Sequence, residues 1–424
     1  MFNKINRFIP EKWQWVLNHG GFRRYFKNTG WMFLGQVISL TLSFFIGVWL
    51  ARYLGPENFG IISYVIAFAG LFSFIASLGV DGILNRELVA HPEKRDELMG
   101  TAFRLKLIGG FLSFFVTVIA AFVFESSWLI RNLITLYSLV FVMQAINVIS
   151  IFFQAQVLSK NNVRAVLIAT VISSVLKVIL ILSGKGIIWL VLIYFLDSVW
   201  QGLGYILAYR RYKLKIINWK YNKELAHKII NSSWFLMLSS ASVYIYMKVD
   251  QVMINHFMGE RFVGLYAAAI RMVEVWYFVP VIICSSIFPA IINAKKTDNL
   301  VYKKRLKALY LLMVVIAVAI AVPISILSPW LISTFFGSEF SASAPILSLY
   351  IWSSIGFFIG WAINQYLLSE NRTKATMFYN LFSMILNIVL NFILIPKLGL
   401  LGAAWSTLAS YSLGPVLILI LNKK

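Results

Sequence analysis

Twelve runs of about twenty predominantly apolar residues, each closed by polar, Gly or Pro punctuation, divide this chain almost from end to end. They fall near 28–51, 60–80, 101–124, 128–157, 163–183, 187–208, 229–257, 262–292, 307–327, 344–368, 374–395 and 399–421. About 20 such residues carry a helix across the hydrocarbon core of a bilayer, so the pattern predicts an all-α polytopic membrane protein of about twelve transmembrane helices. Composition agrees: 60% of residues are hydrophobic and 13% charged, against roughly a quarter charged in soluble domains. With 424 residues, short connections are all that remain, and no sizeable soluble domain fits. Residues 1–27 are basic and aromatic and form no cleavable signal, because the first apolar run is long enough to span.

The charge balance, 38 Lys+Arg against 16 Asp+Glu, would suggest nucleic acid in a soluble protein. In a membrane protein the first question is sidedness, since cytoplasmic loops are enriched in Lys and Arg. With the N-terminus inside, 30 of the 38 basic residues fall on the cytoplasmic side. Only Arg52, Arg131, Lys185, Arg261 and Lys397 fall on the other, and Lys177, Lys248 and Arg271 lie inside helices. Topology thus accounts for the basic excess, no nucleic acid is needed, and both termini are expected in the cytoplasm.

Short repeats organise the chain further. LGPENFGIISY (54–64) resembles MGERFVGLYAA (258–268), and LSKNNVRA (158–165) resembles LSENRTKA (368–375). The offsets, 204 and 210 residues, are about half the chain, and a repeat of six helices keeps its orientation. This predicts two parallel six-helix lobes, 28–208 and 229–424, joined by a basic cytoplasmic linker, 209–228. A site between such lobes at mid-depth is the architecture of alternating-access carriers.

An ionisable residue at bilayer depth is costly, about 2.5–3.5 kcal/mol on insertion scales, so it faces protein or a wet cavity and marks a candidate site. On the seventh helix Tyr244, Lys248, Gln251 and Asn255 recur at helical spacing on one face, while Asp250 points to another. On the eighth, Arg271 and Glu274 are three apart and can pair locally, leaving guanidinium donors for a phosphate. Lys177 and Asp197 lie on the fifth and sixth helices. At the repeat offset Lys177 corresponds to Asn387, inside the stripe Asn380, Ser383, Asn387, Asn391, which interhelical hydrogen bonding alone would explain. Softer candidates are Gln36 with Ser39 and Ser43, Gln144 with Asn147 and Gln154, and Arg52 and Asp81 near helix ends. Cys284 reads as a packed thiol, the four histidines lack metal-ligand spacing, and there is no GxxxxGK[ST] loop for an ATPase motor. No cofactor or metal is expected. Short outer loops make an enzyme, such as a polymerase or ligase, the weaker class.

The runs ARYLGPENFGIISYVIAFAGLFSFIASLGVDGILNREL (51–88), VDQVMINHFMGERFVGLYAAAIRM (249–272) and LSENRTKATMFYNLFSMILNIVLNFILIPKLGLLGAAW (368–405) resemble the Wzx-type polysaccharide or O-antigen flippases of the multidrug/oligosaccharidyl-lipid/polysaccharide exporter superfamily. The resemblance implies a V-shaped, multidrug-exporter-like fold in the bacterial inner membrane. It also implies an alternating-access flippase that moves polyprenyl-diphosphate-linked oligosaccharide from the cytoplasmic to the outer leaflet, as a monomer within the bilayer. Polysaccharide polymerase and assembly proteins would be its partners. On this view Arg52, Lys248 and Arg271 hold the diphosphate, Tyr244, Asn255 and Gln36 meet sugar, Gln251 lines the same cavity, and Asp250, Glu274, Asp197 and Asp81 are ion-coupling or structural acids. Coupling to H+ or Na+ and a role for Lys177 stay open. A multidrug exporter of the same fold is the alternative, though it should favour acidic over basic cavity residues.

Overall fold

A computed structural model describes residues 20–421 apart from residue 371. The expected N-terminal segment therefore lies, up to residue 19, outside the described residues, as do the last three of the chain. All regular structure among the described residues is helical: α1 (Gly20–Gly70), α2 (Ser73–Ser77), α3 (Val80–Ala90), α4 (Arg95–Phe124), α5 (Trp128–Ser138), α6 (Val140–Met143), α7 (Val148–Ala155), α8 (Lys160–Leu182) and α9 (Ile187–Arg211). Then follow α10 (Lys223–Met258), α11 (Glu260–Glu274), α12 (Phe278–Thr297), α13 (Asn299–Phe336), α14 (Ala344–Tyr350), α15 (Ser353–Ser369), α16 (Thr373–Leu398) and α17 (Leu400–Leu421).

Among the described residues nine helical stretches are long and apolar enough to cross a membrane. There are ten if the pair Ser338–Tyr350 and Ser353–Leu367, bent by 49°, is one span. The sequence reading counts twelve. One difference lies in α1, which joins two of the expected runs. The other is α10, long enough to span but loaded with Ser, Asn, Lys248, Asp250 and Gln251. Along α4 the residues Ile108, Leu112, Phe115, Ile119 and Phe122 are all exposed. A stripe of that spacing facing outward has no place to go in water and suits a lipid-facing surface.

The repeated glycine turns share one backbone geometry. Gly55 breaks α1 at φ 68°, ψ 172°, Gly259 separates α10 from α11 at φ 93°, ψ 175°, and Gly337 follows α13 at φ 92°, ψ 174°. That region is essentially closed to residues with a Cβ. One turn later come Gly60 and Gly264, whose helices cross with backbones touching. A Cβ on Gly60 would sit 1.8 Å from the Glu260 carbonyl oxygen, and one on Gly264 would sit 1.8 Å from that of Pro56. The contact is reciprocal, as the sequence repeat requires of a pair related by a local two-fold axis.

Around this crossing a core runs through both halves of the chain, including Leu50, Ile62 and Val65 of α1 and Tyr266, Ile270, Ile332 and Phe336 of the second half. At the opposite helix ends the cores divide. Leu84, Met99, Phe153 and Tyr209 form one, and Cys284, Met313 and Phe358 another. The Cys284 thiol is fully buried there.

α2 ends the second expected run, and α3 continues past it after a bend at Leu78 (φ 49°) and Gly79 (φ 65°). Gly79 abuts the α10 backbone, where a Cβ would come within 2.7 Å of Ser233 O. The basic linker is no free loop. Trp219 Nε1 donates to Tyr209 Oη at 3.2 Å, the Lys220 amide bonds Asp96 O at 3.0 Å, and the Asn222 amide bonds Thr101 Oγ1 at 3.0 Å. These contacts fasten it to the end of α9 and the start of α4.

Candidate functional site: a cationic cavity beside an apolar one

α1, α10 and α11 enclose a cavity of about 530 Å³ whose polar lining includes Ser43, Ser63, Lys248, Gln251, Arg271 and Glu274. Its charges are Lys248 of α10 and Arg271 and Glu274 of α11. Lys248 Nζ lies 3.1 Å from Glu274 Oε1, both side chains partly exposed. Arg271 instead crosses to the first half of the chain and donates from Nη2 to Ser43 O at 2.8 Å. The sequence reading paired Arg271 with Glu274; the structure corrects it. Gly47 is the reason: a Cβ there would stand 1.7 Å from Arg271 Nη2, so the missing side chain opens a slot for the guanidinium. With two cations and one carboxylate, the lining carries a surplus positive charge. Arg271 spends one of its donors on Ser43, which leaves others for an anion.

A second cavity of about 670 Å³ adjoins this one and shares Leu40, Met247, Glu274 and Tyr277 with it. Its other walls are mostly apolar and aromatic, among them Met32 and Phe33 of α1, Val281 and Ile282 of α12, and Phe357 and Trp361 of α15. Tyr277 stacks on Phe357 at 3.8 Å between ring centres. Gln36 lies in this wall, and Phe33 and Val281 beside it are exposed at the molecular surface.

The remaining sequence candidates are dispersed. Asp250 is 2% exposed and faces away from Lys248. It accepts from Tyr266 Oη at 2.8 Å, Asn391 Nδ2 at 2.6 Å and Thr407 Oγ1 at 2.5 Å. The stripe Asn380–Asn391 continues this network, Asn380 donating to Ser239 Oγ at 2.7 Å. Arg52 lies outside both cavities and donates to Thr334 O at 2.7 Å, satisfying a carbonyl at the end of α13. Tyr244 is exposed and lines neither cavity. Asn255 also lines neither, and its Oδ1 is buried without a partner. Asp197 accepts from Ser173 Oγ at 2.6 Å, and Lys177 stands 4.1 Å over the Tyr194 ring. Asp81 meets Lys106 Nζ at 2.6 Å. Lys106, which lies inside the third expected run, is 2% exposed within α4. Of the expected set, then, Lys248, Gln251, Arg271, Glu274 and Gln36 come together. Gly47 and Tyr277 join them, and neither carried a signal inside its apolar run.

Among the described residues no group of His, Cys, Asp and Glu is arranged to hold a metal ion.

The polysaccharide biosynthesis protein family matches residues 25–295, and the MatE family matches residues 236–393. Over 393 residues the chain is 23% identical to a probable low-salt glycan biosynthesis flippase, Agl15, of Haloferax volcanii, covering 91% of this chain and 81% of that one. In fold it resembles an inward-facing multidrug resistance MATE family transporter of the MOP superfamily, with TM-score 0.73, 15% identity and coverage of 90% and 93%. It also resembles the lipid II flippase MurJ in an inward closed conformation, with TM-score 0.71, 18% identity and coverage of 92% and 87%. The first of these matches spans nearly two thirds of the chain, including every helix that lines the cationic cavity, and so the chain belongs to the polysaccharide biosynthesis protein family.

Proposed function

We propose that this protein is a transporter, a flippase that carries a polyprenyl-diphosphate-linked oligosaccharide from the cytoplasmic to the outer leaflet of the cell membrane. The observation that carries this reading is the pairing of a surplus-positive cavity with an apolar one that shares its wall. An amphipathic anion with a hydrocarbon tail needs both. Lys248 and Arg271 are placed to meet the diphosphate, and Gln251 and Gln36 to meet polar groups next to it. The tail stays in lipid, passing between α1 and α12 at Phe33 and Val281. A sugar head cannot cross hydrocarbon without partners for its hydroxyls, so a polar path through the protein is what the substrate requires.

In this reading the two halves act as lobes, 28–208 and 229–424, that rock about the glycine crossing. Asp250, held by three donors within the second half, is the acid best placed to take a proton or Na+ as driving ion. The bacterial inner membrane and an O-antigen, capsule or exopolysaccharide repeat unit as cargo belong to the same proposal, as do a monomeric state and handover to polymerase and assembly proteins. The apolar, aromatic wall of the larger cavity also favours a second reading, a multidrug exporter of the same fold.

The test is to delete the gene and ask which leaflet holds labelled lipid-linked oligosaccharide. Accumulation in the cytoplasmic leaflet is expected, and unchanged delivery to the outer leaflet sinks the assignment. Arg271→Ala and Lys248→Ala, at wild-type protein levels, should each reduce delivery; wild-type rates in both would refute the cationic cavity as the anion site.

A further inference from the structure

The first half of the chain contains a polar cavity of its own, about 340 Å³, lined by Asp81 and Asn85 of α3, by Asn147, Ser150 and Gln154, and by Tyr205 of α9. A smaller one of about 170 Å³ shares Ser150, Gln154 and Tyr205 with it and adds Ser39, Asn162 and Gln36. Gln36 and Met32 belong also to the large apolar cavity. Neighbouring cavities thus share walls in series, from the cationic compartment through the apolar one to this polar recess.

The chemistry of the recess is specific. Its carboxylate, Asp81, is already met by Lys106 Nζ at 2.6 Å. Two amide oxygens, Asn85 Oδ1 and Asn162 Oδ1, are buried with no hydrogen-bond partner. Asn162 is 8% exposed, and its own Nδ2 is spent on Ser150 O at 2.8 Å, so its orphaned oxygen cannot be answered from within. Buried acceptors without donors are rare in folded proteins and call for an explanation. A phosphate would bring further acceptors to these oxygens. An organic cation would find Asp81 neutralised, and an apolar group would leave both acceptors unmet. Hydroxyl donors on a ring with an apolar face fit, with Tyr205 as the aromatic surface and Gln154 able both to donate and accept.

We propose that this recess is a subsite for neutral or N-acetylated sugar residues of the transported lipid, separate from the cationic cavity that takes the diphosphate. The inference rests on the flippase reading above and adds the place where the glycan is recognised.

The test uses full-length protein in lipid nanodiscs and two probes: undecaprenyl diphosphate, and the same lipid carrying N-acetylglucosamine. Wild type should bind the sugar-bearing lipid about tenfold more tightly, the worth of one or two well-made hydrogen bonds. Asn85→Ala and the more exposed Gln154→Ala should each narrow that difference while leaving the affinity for undecaprenyl diphosphate unchanged. Gln154→Ala keeps the test valid if the buried Asn85 variant fails to fold. Arg271→Ala should weaken both lipids alike. If wild type prefers neither lipid, or if the preference survives both recess variants, the subsite is refuted and those orphaned oxygens are merely hydrated. Binding of neither lipid refutes the flippase reading itself, a result distinct from loss of sugar preference alone.

Discussion

Gly60→Ala or Gly264→Ala should force apart the two halves of the chain where they touch. In each case the new Cβ lands 1.8 Å from a carbonyl oxygen of the facing helix. Close C···O contacts in proteins settle at about 3.3–3.6 Å, so the backbones must separate by about 1.5 Å. The obstacle is main chain and has no rotamer into which to retreat. Overpacking costs about 1–3 kcal/mol where side chains can yield, and this crossing should sit at the upper end of that range. Both substitutions demand the same separation, so once one is made the second adds little: the double variant should cost about 1 kcal/mol or more less than the sum of the singles. Gly30→Ala is the control, because Gly30, on the same helix, meets nothing within 4 Å. Unfolding midpoints of the purified protein in detergent, run as a double-mutant cycle with Gly30→Ala alongside, read this directly. A wild-type midpoint for Gly60→Ala, or costs that simply add, would show that the helices do not cross in this way.

Two further outcomes follow from side chains rather than backbone. Gly47→Ala intrudes on the Arg271 guanidinium, the free end of a flexible chain, so the protein should fold with a midpoint close to wild type while Arg271 loses Ser43. Its transport in proteoliposomes should then fall to the level of Arg271→Ala, and wild-type transport would show that the slot is not needed. Glu370 lies outside the spanning segments; Lys295 Nζ, at the end of one, reaches its Oε1 and Oε2 at 2.7 and 2.6 Å, and that bond holds the Glu370 carboxyl below its ordinary value. A carboxyl depressed by folding stabilises fully above its unfolded value, about 4.3, and the contribution disappears as pH falls through the folded value. Thermal midpoints of Glu370→Gln should therefore lie below wild type at neutral pH and converge with it in acid; parallel curves would rule the contribution out.

Much of the fold was legible because a bilayer leaves few options for an apolar run of about 20 residues. The repeat of Gly55 and Gly259 marked the turns, although Gly337, with the same geometry, was missed because its flanking sequence differs. The site was legible only in part. Lys248 and Glu274 stand out against apolar neighbours, but nothing local says that Glu274 turns to Lys248 while Arg271 crosses to another helix. That choice is made by a glycine, Gly47, lying 224 residues earlier in sequence. Helical spacing grouped Tyr244 and Asn255 with Lys248, yet such a face is longer than the cavity is deep, so its two ends fall outside. The pairing of Lys106 with Asp81 was not legible for a related reason: Asp81 belongs to a different helix, and position along the apolar run cannot register it.

Asp250 has a consequence for how the protein is made. The helix that bears it has two of its three partners far downstream, Asn391 by 141 residues and Thr407 by 157. When α10 emerges from the ribosome, only Tyr266 is close to follow, and the acid enters the membrane without the donors that will later surround it. A charge at that depth resists leaving the insertion machinery for bare lipid. The segment is therefore best retained at the exit site, or held by the completed first half at Gly79, until α16 and α17 are synthesised. On that account the last two helices complete the membrane integration of α10, and truncating the chain before residue 391 should release α10 from stable insertion.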